Sequence, residues 1–336
     1  MAIFTNTVLE ESNVELEMDI PGVEPTIECA QNILYEFNKG VTDTLAATYV
    51  ADIMLESAVS EGAENVEELV EGAVGDALNK AANYFKDFMT KIAVWFKRII
   101  LSLTDHTKKI SKYATKYKSD IEKNFENANA DKKSIENPYL TKNVLNIGFD
   151  LFQDIFVTVN NARSIMDPEK VKAMPITGKE YTAGLEGKKN NNTLIDTLKG
   201  QIYKAEGADK KETLSDIGNY ITDCVKSPEQ LKRIKDYQDS TEKMLKNIIA
   251  DIKKMESGDQ KTEFMSKIDF YKRAVTGAQN VFTFVIGAFQ KEVNFKFNVI
   301  KRFVKGAEDV KVEDPKTEVE KESSVGSIFE SALSLV

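Results

Sequence analysis

Reactive side chains are few. The chain of 336 residues holds one histidine, His106, and two cysteines, Cys29 and Cys224. A catalytic base needs a nucleophile or an orienting carboxylate within reach. Asp105 is adjacent in sequence and so points away from His106 on a helix, which leaves the histidine a structural or plain surface residue. Neither cysteine belongs to a Cys-x-x-Cys pair, so both are expected as structural thiols, free in a reducing cytoplasm. A zinc site needs more Cys and His than the chain owns. Gly72 and Gly75 belong to no phosphate-binding pattern, and Gly178-Lys179-Glu180 is not the Gly-Lys-Ser/Thr of a phosphate loop. No catalytic, metal or cofactor site is therefore expected, and no enzyme.

A second kind of chemistry is better represented: cationic side chains interleaved with aromatic ones. Lys86, Lys91, Lys97 and Arg98 stand among Tyr84, Phe85, Phe88, Trp95 and Phe96. Lys291, Lys296, Lys301 and Arg302 stand among Phe289, Phe295, Phe297 and Phe303. The plain reading is a bundle core with a solvated lysine face. Two sharper readings use the same residues as a contact surface. One is an amphipathic helix lying on a membrane. The other is sequence-independent contact with nucleic acid, which an excess of Lys over Arg suits better than base reading.

The charge layout sharpens this. The net charge is −9, yet residues 1–78 hold 17 acids and one base, and residues 308–336 hold eight acids and three bases. The body between them, 79–307, carries the balance of +12. The chain thus divides into an acidic extended segment 1–25, an acidic helical segment 26–78, a basic helical body 79–307 and an acidic tail 308–336. Folded back, the acidic segments would cover the basic body electrostatically.

The elements that position these residues are helices. Pro and Gly make up about 2% and 5% of the chain, below averages of roughly 5% and 7%. A β-sandwich needs more turns than that composition supplies. Apolar residues recur at three-four spacing over 26–58, over 66–125 without a proline, over 144–165 and over 264–304. Shorter helices are expected at 194–204 and 211–225, a loop over 127–138, and a Pro-first turn behind Asp167. Ser227-Pro228-Glu229-Gln230 has the form of a helix start, with Ser as N-cap. Residues 172–192 read as an irregular insertion with a small hairpin using Ile176 and Tyr181. The expected fold is all-α: an elongated antiparallel bundle of long amphipathic helices with flexible acidic ends. The most apolar stretches, Ile92–Leu103 and Val281–Phe289, are too short to span a membrane. No signal peptide precedes the body.

In texture the chain resembles the internal or other structural virion proteins of large tailed bacteriophages, which are helical and rich in Lys and Phe. Some carry an acidic propeptide that a head-maturation protease removes. In T-even-like phages that protease favours Leu or Ile, any residue, then Glu, followed by a small residue. Leu69-Val70-Glu71 before Gly72 and Ile328-Phe329-Glu330 before Ser331 fit, as does Leu9-Glu10-Glu11 before Ser12; Leu34-Tyr35-Glu36 before Phe37 fits poorly. All four lie in the acidic ends. The resemblance implies processing at Glu71 and Glu330, a place in the virion after synthesis in the host cytoplasm, and partners among other virion proteins, further copies of itself, or DNA. A pore-forming or membrane-binding helical protein and a coiled-coil scaffold or adaptor remain as alternatives.

Overall fold

The computed structural model describes residues 24–60, 66–140, 143–177, 191–255 and 261–304. The chain forms an all-α bundle. In order, α1 (Glu24–Ser60), α2 (Val66–Lys116), α3 (Lys118–Glu126), α4 (Ala130–Lys133), β1 (Ser134–Glu136), α5 (Val144–Ala162) and α6 (Pro168–Ala173) lead to α7 (Asn191–Ile202) and β2 (Lys211–Thr213). Then come α8 (Gly218–Gln230), α9 (Lys232–Met255) and α10 (Lys261–Lys301). Of the expected extended segment 1–25, residues 1–23 lie outside the described residues and Glu24 and Pro25 open a helix instead; Tyr181 of the expected hairpin and the acidic tail with Glu330 also lie outside the described residues. Pro25 falls in the first turn of α1, where a missing N–H costs nothing. Glu71 lies within α2, as does the boundary drawn on charge at 78.

The centre of the bundle is α10. It buries residues on all sides, among them Phe270, Tyr271, Val281, Phe282, Val285, Ile286 and Phe289. A helix apolar all round must be enclosed by others. The helix pairs run in both senses. Trp95 meets Phe282, Tyr113 meets Phe297 and Phe125 of α3 meets Phe303, so α2–α3 run parallel to α10. Phe37 meets Phe85 and Phe88 while Asn38 and Thr42 reach Thr276 and Lys272, so α1 runs antiparallel to both.

Helices α5 and α9 lie parallel, linked by three polar contacts seven residues apart on each. Arg233 Nε donates to Asn146 Oδ1 at 2.8 Å, Gln153 Nε2 to Ser240 Oγ at 3.0 Å, and Asn247 Nδ2 to Asn160 Oδ1 at 3.0 Å. That is the heptad spacing at which one helix face meets another in constant register. A chain of rings crosses the core: Phe149 and Phe152 of α5 pack on Tyr237 of α9, Tyr237 on Phe282, and Phe282 on Trp95 and Phe96. Gly148 makes this approach of α5 possible. A Cβ there would overlap Val285 and lie 2.6 Å from the Tyr237 hydroxyl.

Several local expectations are corrected. The helix expected over 66–125 is interrupted at Tyr117, although the backbone ladder continues through it: Tyr117 N–H donates to Tyr113 and Ile121 N–H to Tyr117. The loop expected at 127–138 contains α4, capped by Asn129, and β1, which pairs antiparallel with β2 so that Ile135 faces Glu212. Part of the helix expected at 211–225 is thus a strand. Ser227 is no N-cap. Helix α8 runs on through Pro228, whose missing N–H frees the Cys224 carbonyl, and the buried Ser227 hydroxyl donates to that carbonyl at 2.8 Å. Asp167 does cap α6, accepting from the Glu169 and Lys170 amides, and those bonds hold its carboxyl below the usual value.

Candidate functional site

The solvent face of α2 is the most strongly charged helical surface described. From Lys80 to Lys116 the helix holds nine bases and two acids, net +7. Its inward stripe, including Phe85, Phe88, Ile92, Trp95, Ile99 and Leu103, is buried. At about 100° per residue, all nine bases fall within an outward arc of about 140°. Lys80, Lys86, Lys91, Lys97, Lys108, Lys109, Lys112 and Lys116 are all exposed. Of these, Lys116 sits over the Tyr117 ring, 4.9 Å from its centroid. The other seven enter no ion pair among the described residues. Lysines elsewhere are commonly neutralised within their own helix, as in Lys118–Glu122, Lys199–Asp196 and Lys246–Glu242. Asp87 and Asp105 are too few to do the same on α2.

The eight cationic residues singled out from the sequence therefore separate. Lys86, Lys91 and Lys97 are exposed on this face, and Arg98 is half-buried beside it, close enough to Cys29 for its charge to act on the thiol. The other four, three on α10 and Arg302 just past its end, are drawn into the body. Lys291 is half-buried. Lys301 lies over the Phe297 ring at 5.2 Å, and Arg302 Nη1 donates to the Ser134 carbonyl at 3.1 Å. Lys296 is buried and is no contact residue. Its Nζ lies 2.6 Å from Glu292 and 3.0 Å from Asp223 of α8. Burial alone would lower its pKa, but the two carboxylates outweigh it and hold the ammonium above the usual lysine value. Lys80, Lys108, Lys109, Lys112 and Lys116 join the face; at about 100° per residue they fall in the same outward arc as Lys86, Lys91 and Lys97, off the apolar stripe, and that was their signal.

The buried titratable groups grip their protons. Burial and the nearby Asp223 push the Cys224 thiol up to about 12, against the pull of Lys296. Burial raises the Cys29 thiol as well. Tyr271 donates to Asp251 at 2.5 Å, and burial with that bond raises its phenol; Tyr237 is raised by burial. A general acid or base works best with a pKa near the working pH, and these groups are moved away from it. His106 Nε2 lies 2.6 Å from Asn294 Oδ1, a hydrogen bond for the tautomer protonated at Nε2, which ties α2 to α10. A cavity of about 10 Å³ between α1, α2 and α10, lined by Leu45, Leu78, Phe264 and Ile268, has room for about one water. Among the described residues no group of three or more metal-binding side chains converges, and no helix is long and apolar enough to cross a membrane.

The acidic helix α1 packs on the inward stripe of α2, where Phe37 meets Phe85 and Phe88. It holds six acids and one base and is anchored by Ala30, Leu34, Phe37 and Val41, all buried. Comparison with protein-family models, with curated proteins and with solved structures gave no match.

Proposed function

We propose that the chain is a non-catalytic structural protein of a tailed-phage virion, an internal head protein associated with DNA through its basic helical body. The observation that carries this reading is the row of exposed lysines on α2 that enter no ion pair among the described residues, held on a buried apolar core and flanked by acidic segments. The work of such a protein is contact: neutralising phosphates and packing against other virion proteins or further copies of itself. Removal of acidic sequence after Glu71 or Glu330 would raise the net charge of what remains. The membrane reading is less well supported, because Ile92–Leu103 and Val281–Phe289 bury their apolar sides in the bundle, Trp95 and Phe96 against Phe282.

Mass spectrometry of purified particles tests the proposal. The chain should be present in them, and its absence would end the reading. Peptides beginning at Gly72 or ending at Glu330 would establish processing, whereas an intact chain in the particle would remove only that part.

A further inference from the structure

We infer that the outward face of α2 is a phosphate-tracking strip for duplex DNA, with its strongest part at Lys108, Lys109, Lys112 and Lys116. The inference rests on the DNA-associated reading above and names the surface responsible.

Three observations converge on this strip. It is long enough: Lys80 to Lys116 spans about 54 Å at about 1.5 Å per residue, the length of about 16 base pairs at about 3.4 Å each. It is rigid where it must be, because Thr107, Ile110 and Ala114 are buried beneath the exposed lysines, and His106 and Ser111 tie the helix to α10 and to the Val225 carbonyl of α8. Its charge is also unevenly answered. Helix α1, with exposed Glu28, Glu36 and Asp43, runs antiparallel beside α2 as far as Arg98: Phe37 meets Phe85 and Phe88, and Cys29 lies near Arg98. Lys108 to Lys116 lie beyond this overlap.

The chemistry favours a polyphosphate over a lipid surface. A membrane-surface helix sinks a broad apolar face. On α2 that face is buried, and from Lys80 to Lys116 only Tyr84, Val94 and Leu101 (37%, 41% and 62% exposed) stand as exposed large apolar residues. Lysine ammonium groups on long stems neutralise phosphates without reading base edges. Contact of this kind releases counterions, so binding weakens with salt at a slope of about 0.9 per phosphate contact. Helix α9 is the internal control. It too is basic and exposes Lys232, Lys235 and Lys253, but its seven bases stand among four acids, net +3 against +7 on the strip, and Arg233 and Lys246 are paired with Asp236 and Glu242.

The experiment measures binding of the full chain to two unrelated 24-base-pair duplexes across a salt series. The wild type is compared with K108Q/K109Q/K112Q on α2 and with K232Q/K235Q/K253Q on α9; both triples remove three exposed charges. Circular dichroism confirms that each variant is folded. The α2 triple should flatten the slope of log affinity against log salt by about 2.7 and weaken binding at 0.1 M salt on the order of 100-fold. The α9 triple should change both far less, and the two duplexes should bind alike. Equal losses from the two triples, or no loss from the α2 triple, would overturn the strip while leaving DNA association intact. No binding by the wild type would overturn both. Binding to anionic vesicles but not to duplex, lost in the α2 triple, would reassign the strip to a membrane.

Discussion

Truncating Phe37 to alanine tests whether the acidic helix α1 is part of the folded body or a loose cover. The Phe37 ring is 3% exposed, 5.0 Å from Phe85 edge-on and 4.7 Å from Phe88. Removing a buried phenylalanine costs about 3–5 kcal/mol through lost transfer energy and the cavity left behind. The polar ties of α1 to α10 are modest: a contact of 2.8 Å between Thr276 Oγ1 and Asn38 Oδ1, and Lys272 Nζ to Thr42 Oγ1 at 3.2 Å. Each is worth about 1 kcal/mol net. Phe37→Ala should therefore act first on α1. A loss of about 4 kcal/mol raises the local opening constant about 1,000-fold where opening is confined to that helix. Hydrogen exchange followed by mass spectrometry reads this directly: amides of α1 should exchange far faster while those of α5, α9 and α10 hold. Indistinguishable exchange in variant and wild type, with α1 already unprotected, would refute the packing argument. If the loss is as described, a cut after Glu71 followed by departure of α1 would uncover Phe85 and Phe88.

Three further outcomes follow from the same packing. Gly148→Ala should destabilise the protein by about 2 kcal/mol in urea unfolding, because the clash with Val285 and Tyr237 outweighs a helix-propensity gain of about 1 kcal/mol; stabilisation would contradict the close approach of α5 to α10. Lys296→Met removes the ammonium held between Glu292, 2% exposed, and Asp223 and should cost about 3–5 kcal/mol at neutral pH. That deficit should narrow on acidification, since a protonated carboxyl carries no buried charge; a variant as stable as wild type at pH 7 would contradict the pairing. The phenols of Tyr220, Tyr237 and Tyr271 are raised in the folded state, so their contribution is whole below about pH 10 and is lost as pH climbs beyond it toward the folded values. Absorbance at 295 nm should show the 11 tyrosines ionising in two phases, the later one coinciding with loss of helix. A single phase near pH 10 with the helices intact would contradict their burial.

The long helices were legible because their apolar residues repeat over many turns. From Phe85 to Ile110 the same three-four spacing fixes both the helix and the side it buries. The strand pair was not legible: Ser134–Glu136 and Lys211–Thr213 are three residues each, too short for a period, and pair across a long stretch of chain. The Ser227-Pro228 start failed for a local reason. A proline removes one donor, and a neighbouring hydroxyl supplied it, so tertiary packing carried the helix on. The candidate site divided along the same line. Exposed lysines on α2 follow from one helix's pattern. The fate of Lys296 depended on Asp223, a residue of another helix, and on the enclosure of α10 on all sides, which no single-helix pattern contains.

Ultraviolet crosslinking inside intact particles, followed by peptide mapping, asks whether the basic body meets DNA through α2. Nucleotide adducts should concentrate on peptides spanning Lys91 to Lys116. Adducts confined to α9, or none on a chain present in the particle, would contradict contact through α2.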